Sequence, residues 1–234
     1  MSPSDPPGPL IGAGRAADVY AIDADRVLRR YRRPFGVAAE AEMMRHLHQA
    51  GFPVPKVYDA DGSDLVMERL DGRDMLVDLG RRPWLARRHA RTLADMHNRL
   101  HQITAPAGWP EVAGLGDKVL HLDLHPGNVM LTSRGPVVID WSNVRAGPPG
   151  ADVAMAYLIM ASSEVDDLPL LVRPAVTSVR AAVIRHFLVA ATDDPAPHIV
   201  PVARLRMADP NVRPSEADWL ARKIADTERT AAAS

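Results

Sequence analysis

The stretch HLDLHPGNVM, from His121 to Met130, gathers two histidines, an aspartate and an asparagine. Side chains of these types can ligate a metal, move a proton, or only turn the chain between two strands. His121, Asp123 and His125 alternate, so on an extended segment all three point to one face. Nitrogen and oxygen ligands there could hold zinc or a similar ion. However, Pro126-Gly127 ends any strand at once. The other histidines (His46, His48, His89, His97, His101, His186, His198) read as helical or irregular positions without ligand spacing. A metal-dependent hydrolase, expected to carry zinc or iron and to ignore ATP, thus rests on three alternating residues.

The same residues also spell H-x-D-x-x-x-x-N, from His121 through Asp123 to Asn128. This is the spacing of a kinase catalytic loop, where the Asp accepts the proton of a substrate hydroxyl and the Asn holds a metal ion. Val129 to Leu131 and Val137 to Ile139 flank the turn TSRGP as two short apolar strands. The open end of such a hairpin brings Asn128 beside Asp140. An amide oxygen and a carboxylate could there hold Mg2+, which takes hard oxygen ligands. A hairpin with polar ends is the plainer reading. It gives no reason for Asp123 ahead of the asparagine or for Asp140 directly after the second strand.

HLDLHPGNVM together with VVIDWSNVRAGPPGADVA resembles the catalytic core of the aminoglycoside phosphotransferase-like small-molecule kinases, over about Leu10 to Ile159. The resemblance implies an α+β, two-lobed protein-kinase-like fold, with a small antiparallel β-sheet N-lobe carrying one helix and a mostly helical C-lobe. It also implies Mg2+-dependent transfer of the γ-phosphoryl group of ATP, or of GTP, to a hydroxyl of a small molecule. Asp123 is then the catalytic base, and Asn128 and Asp140 are the metal ligands. Leu122 stands where typical members carry Gly, and Asp140-Trp141-Ser142 where protein kinases carry D-F-G. No A-P-E segment follows, which points away from a protein kinase. Members of the family have an aspartate at Asp152 that braces the catalytic loop, although after Gly-Pro-Pro-Gly a helix N-cap is role enough.

On the same template, Gly12, Gly14 and Val19 resemble the strand-turn-strand loop that covers nucleotide phosphates, with Ala17 in place of a third glycine. A helix over Val37 to Gln49 puts Glu40 on the face of Met43, Met44 and Leu47, and Glu42 on a solvated side. In the family this glutamate pairs with a strand lysine, yet no lysine precedes Lys56. Arg29 and Arg30 are the substitutes. With Val27 over the adenine, strand parity selects Arg29; a solvated basic edge continuing to Arg32 and Arg33 is the plainer alternative. Met67 is expected behind the adenine, and backbone near Glu68 and Leu70 at its edge. The absent lysine also admits a nucleotide-binding pseudokinase without turnover.

The elements that must position these residues divide the chain into a tail (1–9), a nucleotide-binding lobe (10–70), a hinge (71–82) and a helical lobe (83–234) carrying the catalytic loop and acceptor site. A helix is expected from Pro83 to about Leu100, with His97 a satisfied core histidine on its apolar face. His121 and His125 are expected to support the loop. Ser215 with Asp218 reads as a capping box opening the last helix. The 234 residues, 47% hydrophobic with net charge −1, suit one domain or two small lobes and argue against a broad basic nucleic-acid surface. Without cysteine there is no disulfide or thiolate site. No apolar run spans a membrane, and no signal peptide is read in the first residues, so a cytoplasmic protein is expected. Known family acceptors are antibiotics, amino alcohols, sugars and amino acids. The C-terminal part interleaves Glu164, Asp166, Asp167, Asp193 and Asp194 with arginines, so no acidic bias selects an aminoglycoside.

Overall fold

Alternation in ADVYA and RVLRRY makes two neighbouring strands, and Asp23 closes the turn between them. Its Oδ1 accepts from the backbone N–H of Asp25 and Arg26 at 2.9 and 2.8 Å, the local bonding that suits aspartate to turns. The computed structural model describes residues 8–14, 16–32, 36–112, 114, 116–163 and 169–232. Residues 1–7 of the expected tail, Arg33, Glu164, Asp166 and Asp167 lie outside the described residues.

The chain forms two compact units. One comprises the residues up to Arg73 together with Met130–Val144; the other comprises Asp74–Val129 and the residues from Arg145 on. In the first, β1 (Leu10–Ala13), β2 (Ala17–Ala21), β3 (Arg26–Tyr31), β4 (Val57–Asp61) and β5 (Asp64–Glu68) form a sheet in the order β1-β2-β3-β5-β4, every pair antiparallel. Gly12 pairs with Val19, Val19 with Arg29, and Val27 with Met67. Paired residues share a face, and so do residues two apart. Gly12, Val19, Val27, Arg29 and Met67 therefore lie on one face.

Helix α1 (Val37–Gln49) buries Val37, Glu40, Ala41, Met43, Met44 and Leu47, the stripe that its 3.6-residue period predicts. After β6 (Arg73–Asp74) the chain leaves this unit and returns to it for the hairpin of β8 (Val129–Thr132) and β9 (Gly135–Val138). Val138 N–H donates to the Pro53 carbonyl at 2.9 Å. Trp141, fully buried, meets Phe52 edge-on at 5.8 Å between centroids. The turn carrying Asp140 is thus anchored on both sides.

The second unit holds α2 (Met75–Arg81), α3 (Ala86–Leu100), the antiparallel pair β7 (Lys118–Leu120) and β10 (Arg145–Gly147), α4 (Pro149–Ser162), α5 (Arg173–Ala190), α6 (Ile199–Met207) and α7 (Pro214–Ala232). Its core joins Leu120, Leu122, Ala151, Met155 and Leu158 to Val202 and Leu220.

Several local expectations change. Residues 75–81, read as hinge, are helical, because Asp74 caps α2 by accepting from Val77 N–H at 2.7 Å. Pro83 opens only a single 3-10 turn before α3. Helix α7 starts at Pro214, which suits the first helical position, so Ser215 lies inside the first turn and does not cap it. Among the described residues no helix is long and apolar enough to cross a membrane.

Candidate active site

Strand parity carries Arg29 toward α1. Its Nη1 donates to Glu40 Oε1 at 3.0 Å, and its Nη2 donates to Asp140 Oδ1 at 2.5 Å. Glu40 Oε2 accepts from the Tyr31 hydroxyl at 2.5 Å, and the Arg29 guanidinium lies 4.8 Å from the Tyr31 ring centroid. One guanidinium thus faces two carboxylates, a net charge of −1. Burial pushes the Glu40 carboxyl up, against the opposing pull of Arg29 and the Tyr31 hydroxyl. Burial alone would lower the Arg29 guanidinium, but Asp140 and Glu40 raise it above its ordinary value. Arg30 points the other way and grips Asp64 with Nε and Nη2 at 2.8 and 2.7 Å. The bond from Arg29 to Asp140 spans 111 positions and was missed from sequence.

Asp140 has φ 64 and ψ 68, a left-handed conformation uncommon for a residue with a Cβ. Its Oδ1 also accepts from Ser142 Oγ at 2.9 Å. At the Gly12–Gly14 turn, Gly14 N–H donates to the Ala17 carbonyl at 2.9 Å. A Cβ on Gly14 would stand 3.1 Å from that carbonyl oxygen, whereas one on Gly12 would meet Val19 at an ordinary 3.6 Å. Of these two glycines, Gly14 is the one under steric pressure. Glu68 ends β5, and its carboxylate accepts from Lys56 N–H at 3.1 Å and Arg134 Nη2 at 2.8 Å. Leu70 is half-buried beyond the strand.

In the second unit Asn128 Nδ2 donates to both the carbonyl and Oδ2 of Asp123, at 2.8 and 3.0 Å. Turning its amide nitrogen to Asp123 leaves the amide oxygen as the atom for a hard cation. His125 Nδ1 accepts from Gly127 N–H at 3.1 Å, and its Nε2 lies 3.9 Å from Asp123 Oδ1. His121 is buried and accepts from Asp123 N–H at 3.2 Å, so it supports the loop from within. Accordingly His121, Asp123 and His125 do not form a converging ligand group among the described residues.

The loop hangs on Asp152. This fully buried carboxylate accepts from His121 N–H at 3.1 Å and from Leu122 N–H at 2.7 Å. Since α4 begins at Pro149, Asp152 lies within its first turn and is not an N-cap. Burial would raise its carboxyl, but the hydrogen bond from His101 and the nearby His97 imidazole hold it well below the usual range. Leu122 itself has φ 58. His97 is a buried core histidine, as expected, but only half satisfied: its Nε2 meets the Leu124 carbonyl at 3.2 Å, while its Nδ1 has no hydrogen-bond partner.

The chain belongs to the phosphotransferase enzyme family, whose profile matches residues 8–118 and 106–198. No curated protein matches it. Among solved structures it resembles a thermostable mutant of aminoglycoside phosphotransferase APH(4)-Ia in ternary complex with AMP-PNP and hygromycin B, at 15% identity and TM-score 0.62, over 97% of this chain and 94% of that one. A choline/ethanolamine kinase family protein from Mesorhizobium loti aligns at 16% identity and TM-score 0.55, over 95% and 87%. Amicoumacin kinase hAmiN, in complex with AMP-PNP, Ca2+ and Ami, aligns at 14% and 0.52, over 94% and 87%. The fold is therefore the kinase-like fold of these phosphotransferases, as the motifs imply.

Proposed function

We propose that the protein transfers the γ-phosphoryl group of ATP, or of GTP, to a hydroxyl of a small molecule, with Mg2+. The observation that carries this reading is the hold of Asn128 on both the backbone and the carboxylate of Asp123. It fixes a proton acceptor within a loop whose backbone is itself tied to a buried aspartate.

Asp123 orients the acceptor hydroxyl and takes its proton as the phosphoryl group moves. The amide oxygen of Asn128 and the carboxylate of Asp140 are hard donors that suit Mg2+, and the net negative charge of Arg29, Glu40 and Asp140 favours a cation. When bound, Mg2+ neutralises charge on the phosphate oxygens. Arg29 positions the phosphates, held by Glu40. Arginine is always charged and forked, where lysine is a single point charge. The Gly12–Gly14 turn covers the nucleotide with Val19, Val27 and Met67 on the same sheet face as Arg29, and backbone near Glu68 and Leu70 meets the adenine edge. We further propose that residues 10–70 form the nucleotide-binding lobe and that the C-terminal helices supply the acceptor site.

Two of the similar structures are complexes with hygromycin B and with Ami; an antibiotic or another hydroxyl metabolite fits the same chemistry here. The test is ATP and GTP consumption with and without Mg2+, against a panel of hydroxyl metabolites and antibiotics, with the phosphorylated product identified. Nucleotide binding without turnover on every acceptor would favour a pseudokinase.

A further inference from the structure

Three potential ligand atoms, His97 Nδ1, His101 Nε2 and a carboxylate oxygen of Asp152, face one another inside the second unit, within 4.8 Å. His97 Nε2 lies 3.2 Å from the Leu124 carbonyl oxygen, which can only accept. Nε2 therefore carries a hydrogen, and in the neutral ring Nδ1 presents a lone pair. That Nδ1 is buried, has no hydrogen-bond partner, and sits 3.5 Å from Asp152 Oδ2. His101 Nδ1 lies 2.7 Å from Asp193 Oδ2, which places a hydrogen there as well. His101 Nε2 lies 3.2 Å from the same Asp152 Oδ2; burial opposes a proton there, but the two carboxylates push the imidazole up to about 9, so a bound ion would take that proton's place. His97 lies in the last turn of α3 and His101 is its C-cap residue one turn on, so the two share a face. Both residues and Asp152 are almost wholly buried.

Such an arrangement favours a cation at its centre, either a proton on His101 or a metal ion, because a buried carboxylate is costly without one. A proton on His101 answers one contact and leaves His97 Nδ1 opposed to the carboxylate. A divalent ion answers both, and its charge balances Asp152 and Asp193. The spacing agrees: metal–ligand bonds of about 2.0–2.1 Å at a tetrahedral zinc place neighbouring ligands about 3.3 Å apart. The three donor atoms here lie within 4.8 Å of one another, two of the separations being 3.2 and 3.5 Å. Each ring also has its second nitrogen held by a carboxylate or a carbonyl, the usual support of a metal-ligating histidine.

We propose that His97 Nδ1, His101 Nε2 and Asp152 Oδ2 bind a zinc-class divalent ion. Its role is structural. Asp152 also receives the backbone of His121 and Leu122, and His97 holds the Leu124 carbonyl, so the ion clamps α3 and α4 to the catalytic loop. Mixed nitrogen and oxygen ligands favour zinc or cobalt over magnesium, which sets this site apart chemically from Asn128 and Asp140.

The experiment titrates untagged, chelator-treated full-length protein with Co2+ and follows the visible absorption that distinguishes tetrahedral from octahedral cobalt. About one Co2+ per chain should bind with the intense tetrahedral band. Zn2+ should abolish that band, and excess Mg2+ should leave it. The band should vanish in His97→Ala and persist in His186→Ala, an α5 position outside the cluster. If His97→Ala does not fold, the wild-type spectrum and its response to Zn2+ and Mg2+ decide alone. No tetrahedral band in the folded wild-type chain, displacement by Mg2+, or a band retained in His97→Ala would overturn the proposal. Because no nucleotide is present, the outcome is independent of phosphotransfer.

Discussion

Arg29 stands on β3 where the family resemblance implies a lysine, and its surroundings suit a guanidinium. Two carboxylates take separate nitrogens of the fork, and Tyr31 lies beneath it. Removing it strands Glu40 and Asp140 together. Arg29→Ala should therefore cost about 3 kcal/mol of stability, the scale for breaking a buried pair, and weaken nucleotide affinity. Arg29→Lys keeps the charge but fills only one arm, so partial function is expected. Arg30→Ala loses a half-exposed pair with Asp64 worth about 1 kcal/mol or less and should leave affinity unchanged. Chemical denaturation and nucleotide titration of the three variants check this. Equal losses for Arg29→Ala and Arg30→Ala would contradict it.

The loop from His121 to Asn128 is an element held by distant partners. Leu122 has φ 58 in a loop where other members carry glycine, a conformation that costs a side-chain-bearing residue roughly 1–2 kcal/mol. Its side chain nevertheless joins the buried core with Met155 and Leu158, worth about 2–3 kcal/mol with a cavity penalty besides. Leu122→Gly should thus be net destabilising by about 1 kcal/mol or more in urea melts; a stabilised variant would show that the strain outweighs the packing. Asp78 of α2 makes a comparable tie, bonding Arg82 and, at 2.8 Å, His89 of α3. The hydrogen bond from Arg82, helped by His89, holds its carboxyl below the ordinary value despite burial. A carboxylate lowered in the folded chain adds stability above the unfolded pKa and loses it as pH falls through the folded one. Asp78→Asn should start less stable at neutral pH and lose less on acidification from about pH 5 to about pH 2; parallel melting curves for variant and wild type would refute the linkage.

These elements differ in how far sequence reveals them. Helix α1 was legible because it buries one face at its own period, the sheet because turns punctuate its short strands, and parity alone separated Arg29 from Arg30. The Asp123 and Asn128 spacing was legible because a ten-residue loop carries it whole. The brace by Asp152 was legible only through the family resemblance: it meets Leu122 across 30 positions, and nothing local separates that role from a helix cap. The convergence of His97 and His101 on Asp152 was hidden likewise, although their four-residue spacing on one helix face was a signal available to find it. Helix α2 was hidden by its brevity and by Gly80 within it, and β7 and β10 by being too short to alternate.

At the scale of the whole molecule, family membership and fold describe a phosphotransferase, and the proposed chemistry predicts linkage between nucleotide and stability. A ligand that binds the folded chain alone at a hundred times its dissociation constant adds about 2.7 kcal/mol. Mg2+-ATP or Mg2+-GTP should raise the melting temperature accordingly, and Asp140→Asn should blunt the rise. A melting temperature unmoved by either nucleotide at saturating concentration would count against the reading.

The central claim is that Asp123 serves the transfer step and not nucleotide binding. The measurement that tests it most directly is the rate of Mg2+-dependent phosphoryl transfer by Asp123→Asn relative to wild type, on an acceptor found in the screen and at matched nucleotide saturation. The account predicts a rate lower by roughly 10²–10⁴-fold, the span for loss of a general base, with nucleotide affinity retained. Equal rates in the two proteins would contradict it.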